Sequence, residues 1–394
     1  MTDNVLRALG ALDDEDVISN LLAYCVNSSR SFAAHFMSAV QGCGPDSYDE
    51  ICAYERKRVL GTGTPDLVLK ASSGEHCDLV IIENKVTAEE GKGQTKRYSR
   101  PSCVERLRAR LSNEHPSGEW RGDHYAFLTL YPWQKPRNPH FRHVTYQRLL
   151  SATMPYERGQ DTLADRLFGH LSDAYSAFYA SGRIDRGDLL MQKWSAHGDL
   201  RGLDRAFLHF GNVFASMRYP LGLEVGLIAR ASRTGRLYYL AQVSKDSWRL
   251  PAPSAKPGFH IHFEPQFSVL SCRFSLYLHH EIRDYRPRAQ AVKDFGTELA
   301  EYDAAREQFI RYLTKTRVSD LVLGGGSNQV AKVRVKFDER TSLGEFPDAV
   351  CSAIARVAKA IDEFLLGQLE ACRLQSVLVG ASTGGAGPPL SPSD

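Results

Sequence analysis

The chain has 394 residues, of which 43% are hydrophobic and 24% charged; that supplies apolar material for a large core, and the length predicts about two domains. A net charge of only +3 excludes a polycation that grips nucleic acid over its whole surface, so any such contact must come from local clustering. No apolar run approaches the ~18 residues a membrane helix needs, the start carries no basic and then apolar leader, and the cysteines are scattered without a CxxC pair, so the expectation is a reduced, cytoplasmic protein with no membrane partner.

Asp13 and Asp14 are N-cap residues for a first amphipathic helix with Val17, Ile18, Leu21, Leu22 and Cys25 at helical spacing, and Glu15 lies in its first turn, where a carboxylate complements the helix dipole. Phe32, Phe36, Met37 and Val40 form a second helical stripe. Residues 51–60 read as the first strand; its Glu55-Arg56-Lys57-Arg58 could face phosphates or be a solvated strand edge. Two short apolar runs follow, Leu67-Val68-Leu69 and Leu79-Val80-Ile81-Ile82, separated by the turn signal Ser72-Ser73-Gly74, which predicts a tight antiparallel pair of buried strands. Asp66 opens the first of them, and Glu83 and Lys85 close the second. Alternation along a strand points Glu83 and Lys85 to one face and Asn84 to the other. With Asp66 at the same end of the neighbouring strand, two carboxylates and one ammonium converge, and such a pair resists ionisation unless a cation sits between them. Hard oxygen ligands suit Mg²⁺ or Mn²⁺ rather than zinc.

Gln94 and Tyr98, at i and i+4, share one helix face. The stretch 89–110 carries Lys92, Lys96, Arg97, Arg100, Arg106, Arg108 and Arg110 against three glutamates, a local basic excess that, on a helix, would attract a polyanion in a salt-dependent way. Residues 125–131 and 143–146 read as further strands, joined by the loop PWQKPRNPHFR, a rigid connector whose aromatic and basic residues could also stack on bases.

Pro65-Asp66 followed, seventeen residues after the aspartate, by Glu83-Asn84-Lys85 and then by Gln94-Thr95-Lys96-Arg97-Tyr98 resembles the PD-(D/E)XK nuclease superfamily, and in particular its stand-alone bacterial members with ENK and QxxxY motifs. The resemblance covers roughly the first 150 residues. It implies an α/β fold with a restriction-endonuclease-like core, a central mixed sheet flanked by helices, and a Mg²⁺-dependent endonuclease (Mn²⁺ substituting) that hydrolyses DNA in bacterial defence against foreign DNA. It further implies Asp66, Glu83, Lys85 and Gln94 as catalytic residues, with Asp66, Glu83 and the Asn84 backbone carbonyl on the metal and Glu15 as a further ligand, Glu55 being the fallback. Lys92, Lys96, Arg97, Tyr98 and Arg100 are the residues implied at the nucleic acid. The same residues would serve an RNA- or tRNA-cleaving toxin, and a nuclease-like fold can also bind nucleic acid or a protein partner without cutting.

Beyond residue 155 the sequence carries no assignable catalytic set. Residues 156–215 read as a helical connector, 216–370 as a C-terminal α+β lobe, and 380–394 as a tail too poor in apolar residues to fold. In the lobe, 223–231, 237–243, 260–263 and 268–278 alternate like antiparallel strands. His260 and His262 point to one face and His279-His280 follows the last strand; a zinc site there would need more ligands in register. Residues 290–313 predict a long helix whose Val292, Phe295, Leu299 and Tyr302 offer a homodimer seam, 323–327 a turn before a strand at 330–337, and 349–365 a closing helix.

Overall fold

The computed structural model describes residues 4–44, 46–55, 63–86, 88–91, 93–114, 118–153, 162–195, 205–233, 236–250, 259–269, 271–282, 298–324, 329–336, 338 and 340–383. The chain divides into two compact units, 1–183 with 196–212, and 184–195 with 213–394. Among the described residues no helix is long and apolar enough to cross a membrane.

The first unit is an α/β structure built on a five-stranded mixed sheet. Helices α1 (Val5–Ala8), α2 (Glu15–Ser28) and α3 (Arg30–Gln41) precede strands β1 (Glu50–Glu55), β2 (Leu67–Ser73) and β3 (His76–Lys85). Then come α4 (Gln94–Tyr98), α5 (Pro101–Glu114), β4 (Glu119–Thr129), β5 (Arg142–Thr145), α6 (Tyr146–Thr153) and α7 (Leu163–Ser181). The strand order is β1-β2-β3-β4-β5, with β1, β2 and β3 antiparallel and β3, β4 and β5 parallel. Both faces of β3 are covered, which is why it reads as a continuous apolar run. One face, Val68, Leu79, Ile81 and Phe127, packs under Cys103, Val104, Leu107 and Leu111 of α5. α2 starts where expected: the Asp14 side chain accepts the amides of Asp16 and Val17.

The basic stretch 89–110 is two helices and not one. The chain breaks ahead of Pro101, which opens α5 at a position where a missing N–H costs nothing. α7, read as part of a connector, belongs to the first unit: Tyr175 stacks edge-on against Tyr146 at 4.9 Å and donates its hydroxyl to the Leu12 carbonyl at 2.9 Å, while Phe168 meets Phe32 at 4.8 Å.

The second unit contains α8 (Leu190–Ser195), a seven-stranded antiparallel sheet and two long helices. Its strands are β6 (Glu224–Arg233), β7 (Arg236–Ser244), β8 (Arg249–Leu250), β9 (Phe259–Ser268), β10 (Arg273–Ile282), β11 (Leu321–Leu323) and β12 (Gln329–Val333). The order is β11-β12-β10-β9-β7-β6, with β8 added to β9. Helix α9 (Arg205–Ser216) contains the division between the units, and α10 (Glu298–Thr316) and α11 (Phe346–Thr383) complete the second. Trp194, Phe214, Phe267, Phe274 and Phe346 form one aromatic cluster in its core.

Several expectations move here. The strand read at 268–278 straddles a real turn, so β10 starts at Arg273 and contains His279 and His280 instead of preceding them. The closing helix is longer than predicted and runs to Thr383, while 384–394 lie outside the described residues. Val292 and Phe295 of the dimer seam also lie outside them. Tyr302, Phe309 and Leu313 are buried within the unit, Tyr302 donating its hydroxyl to the His280 carbonyl, so the chain itself covers these members of the helix.

Candidate active site

The antiparallel register of β2 on β3 sets Leu67 opposite Ile82, which puts Asp66 across from Glu83 at the end of the sheet. Asp66 Oδ2 accepts the Asn84 backbone amide at 2.8 Å. Lys85 Nζ lies 2.6 Å from Glu83 Oε1, 3.1 Å from Glu15 Oε2 and 3.8 Å from Asp66 Oδ2, so one ammonium sits among three carboxylates. Glu83 has 0% exposure, and neither of its oxygens has a hydrogen bond of good geometry despite the nearby ammonium. Burial first, and then the charge of Asp66, raises the Glu83 carboxyl to about 8. Asp66 is also raised, again mainly by burial, with Lys85 and the Asn84 amide opposing. Burial would lower Lys85, but Glu83, Asp66 and Glu15 more than offset it and hold the ammonium charged.

Two facing carboxyls whose protonation is favoured by burial and by each other, one of them wholly buried with only the shared Lys85 ammonium beside it, form a donor set that fits a hard divalent cation. Asp66 and Glu83 would hold it. Glu15 is committed elsewhere: its Oε1 accepts the amides of Val86 and Ala88 at 3.0 and 3.2 Å, and its Oε2 faces Lys85. Among the described residues Glu15, Asp66 and Glu83 do not form a three-ligand group with donor atoms within 4.8 Å of one another. The fallback Glu55 ends β1 as an exposed residue.

Asn84 points to the opposite face of β3, as alternation requires, and its side chain is a structural hub. Nδ2 donates to Ser19 Oγ at 3.0 Å and to the Glu15 carbonyl at 3.3 Å, and Oδ1 accepts the Tyr146 hydroxyl at 2.8 Å. Ser19 in turn donates to the Glu15 carbonyl, so Asn84 pins the first turn of α2 to the strand end that carries Glu83 and Lys85. Sequence reasoning assigned this residue only its carbonyl.

Gln94 and Tyr98 meet as their spacing predicts, Gln94 Nε2 donating to the Tyr98 hydroxyl at 3.3 Å and Oε1 accepting the Gly91 amide at 3.0 Å. Tyr98, read as a nucleic-acid contact, is buried at 2% exposure in the core beneath α5, and its hydroxyl donates to the Thr64 carbonyl at 2.9 Å. It therefore braces the chain two residues ahead of Asp66. Gly63, at φ +115°, passes so close to the Tyr98 ring that an added Cβ would lie 3.3 Å from it, and this approach needs glycine. Lys96, on α4, and Arg100, just after it, are exposed and Arg97 is half-buried, whereas Lys92 lies outside the described residues, as do 56–58. Arg108 is not available for phosphate: it pairs with Asp123 at 2.9 Å over the Trp120 ring.

Two further groups had no legible signal. Glu90 is buried and accepts from the Thr95 amide, the Thr95 hydroxyl at 2.6 Å and the Arg137 amide at 2.6 Å, and Asn138 donates to the Thr95 carbonyl and Ser99 Oγ. The loop after β4 thus clamps α4. Its Trp133 is no base-stacking platform, being packed between Tyr131 and Phe207 at 5.2 and 5.5 Å. Comparison of the chain with protein-family models, with curated proteins and with solved structures finds no match in any of the three.

Proposed function

We propose that this protein is a Mg²⁺-dependent endonuclease of PD-(D/E)XK type that hydrolyses DNA, with Asp66 and Glu83 as metal ligands, and that it serves defence against foreign DNA. The observation that carries the reading is Glu83, wholly buried, raised to about 8 and without a well-formed hydrogen bond at either oxygen, directly across from Asp66. A bound Mg²⁺ would supply Lewis acidity at the phosphoryl oxygens and a more acidic water. Lys85 is held charged, so its part is to orient that water and to stabilise negative charge developing on phosphorus oxygens, not to accept a proton. Glu15 fixes Lys85 and the backbone of Val86 and Ala88 from the start of α2. The exposed Lys96 and Arg100, on and just after α4, whose Tyr98 braces the chain ahead of Asp66, would supply positive charge for the substrate backbone.

The test is a panel of duplex DNA, single-stranded DNA and RNA incubated with the full-length protein and Mg²⁺. Cleavage of DNA is expected, and Asp66→Ala or Lys85→Ala should lower it by at least a factor of about 10³, in line with the loss of a metal ligand or of a charge-stabilising group. Undiminished cleavage by either variant overturns the residue assignment. Cleavage confined to RNA would reassign the substrate, and metal binding with no cleavage of any of the three would favour a non-cutting binding module.

A further inference from the structure

We propose that the second unit carries a separate transition-metal site of the zinc class on the β9–β10 pair, with His262, Glu264 and His279 as ligands and Glu281 orienting His279. The register of the two strands sets His279 opposite His262 and Glu281 opposite His260, so these side chains and Glu264 lie on one face. His280 points to the other face, where it packs against Tyr302 and Phe309. The cluster is deep in the protein: His262 has 0% exposure, Glu264 7% and Glu281 6%.

A buried imidazole normally hydrogen-bonds at one or both nitrogens. Neither nitrogen of His262 does so. Its Nε2 faces Glu264 Oε2 at 3.6 Å, and His279 Nε2 faces Glu264 Oε1 at 3.9 Å, both too long for hydrogen bonds. Two ligands ~2.0–2.1 Å from a tetrahedral zinc lie about 3.3 Å apart, so these spacings suit atoms gathered around a common ion. One donor atom from each of the three residues lies within 4.8 Å of the other two. His279 Nδ1 is 3.2 Å from Glu281 Oε1, which fixes the tautomer that leaves Nε2 free to ligate, and Gln266 Nε2 donates to Glu264. A carboxylate behind a ligating imidazole is the usual outer shell of a zinc site. Two imidazoles and one carboxylate select Zn²⁺, Co²⁺ or Ni²⁺ over Mg²⁺, and three protein ligands leave a position for water.

The site shares no residue with the Asp66–Glu83 pair and stands independently of the function proposed for that pair. The test uses the full-length protein stripped with a chelator and titrated with Co²⁺ and Zn²⁺. Expected are a visible Co²⁺ spectrum of tetrahedral intensity and one Zn²⁺ that a large excess of Mg²⁺ does not displace. His279→Gln, at a partly exposed position, and Glu264→Gln should both abolish the spectrum, whereas Asp66→Asn should retain it. Glu281→Gln should weaken Zn²⁺ binding about 10- to 100-fold while leaving the stoichiometry at one. Absence of the Co²⁺ spectrum in the unmutated protein, or its persistence in folded His279→Gln or Glu264→Gln, overturns the proposal; circular dichroism of each variant verifies that it is folded.

Discussion

A carboxylate with no exposed surface and no good hydrogen bond is tolerated only when it is protonated or faces a cation, and Glu83 has Lys85 for that purpose but must share it with Asp66 and Glu15. One positive charge among three carboxylates leaves the site short of countercharge, the arrangement that the proposed metal would complete. Glu83→Gln should therefore leave the melting temperature in chelator unchanged or higher, while removing the upward shift by Mg²⁺ that the proposed site predicts for the unmutated protein. Thermal melts with and without Mg²⁺ measure both, and a variant that melts lower in chelator yet still responds to Mg²⁺ would contradict the argument. Asp78, farther back on β3, is the opposite case. Burial would raise it, but hydrogen bonds from Arg121 and Tyr48 and the Arg121 charge hold it below the usual carboxylate range. Its folded pKa is depressed, so its contribution is complete above the ordinary carboxylate value near ~3.9 and is lost as pH falls through the folded value. Asp78→Asn should cost about 1–3 kcal/mol at neutral pH. In urea titrations the gap to the unmutated protein should narrow below about pH 4.

At the scale of the element, α4 is too short to persist alone, since five residues are far below what an isolated helix needs. It stands because Glu90 and Asn138 hold its first turn and Tyr98 ties its last residue to Thr64. Tyr98→Phe removes only a hydroxyl that donates to Thr64 and accepts from Gln94, so the fold should lose about 1 kcal/mol. The strand end bearing Asp66 would then be less well placed, and for the proposed DNA cleavage a fall in kcat with KM little changed is expected; an unchanged kcat would reduce Tyr98 to a core residue. The i, i+4 spacing made the pairing of Gln94 and Tyr98 legible, and β-branched runs made β2 and β3 legible, because both signals are local. The clamp was not, since Arg137 and Asn138 reach back more than forty residues to Glu90 and Thr95. The turn before β10 was hidden for another reason: Cys272 takes φ +47° where glycine or asparagine would have announced it. That turn sets His279 and His280 inside the strand and puts Glu264 and Glu281 on the face of His279.

For the whole molecule, the boundary drawn at residue 155 followed the end of the recognisable motifs, whereas compactness follows buried surface. The first unit needs α7, whose Phe168, Leu171, Tyr175 and Phe178 are buried, and Phe168 and Tyr175 reach Phe32, Tyr146 and the Leu12 carbonyl. It also needs residues 205–212, because Phe207 packs on Tyr131 and Trp133, and Gly211 lies so close to Trp133 that no Cβ fits between them. Between these pieces, 184–195 belongs to the second unit, where Trp194 is wholly buried and Leu189 bridges to Ser342. The chain thus enters the second unit and returns before the first is complete, and no single cut separates them. A fragment of residues 1–155 keeps every residue of the Asp66 site but exposes the apolar face that α7 covers, a loss of several large buried side chains at about 1.5–3 kcal/mol each. Against a typical total stability of about 5–15 kcal/mol, that deficit should leave the fragment without a cooperative thermal transition and without saturable Mg²⁺ or Mn²⁺ binding. Circular dichroism melts and calorimetric titration of the fragment beside the full chain decide the matter. A fragment that melts cooperatively and binds metal as the full chain does would show that the site is held by the sheet, α2 and α4 alone.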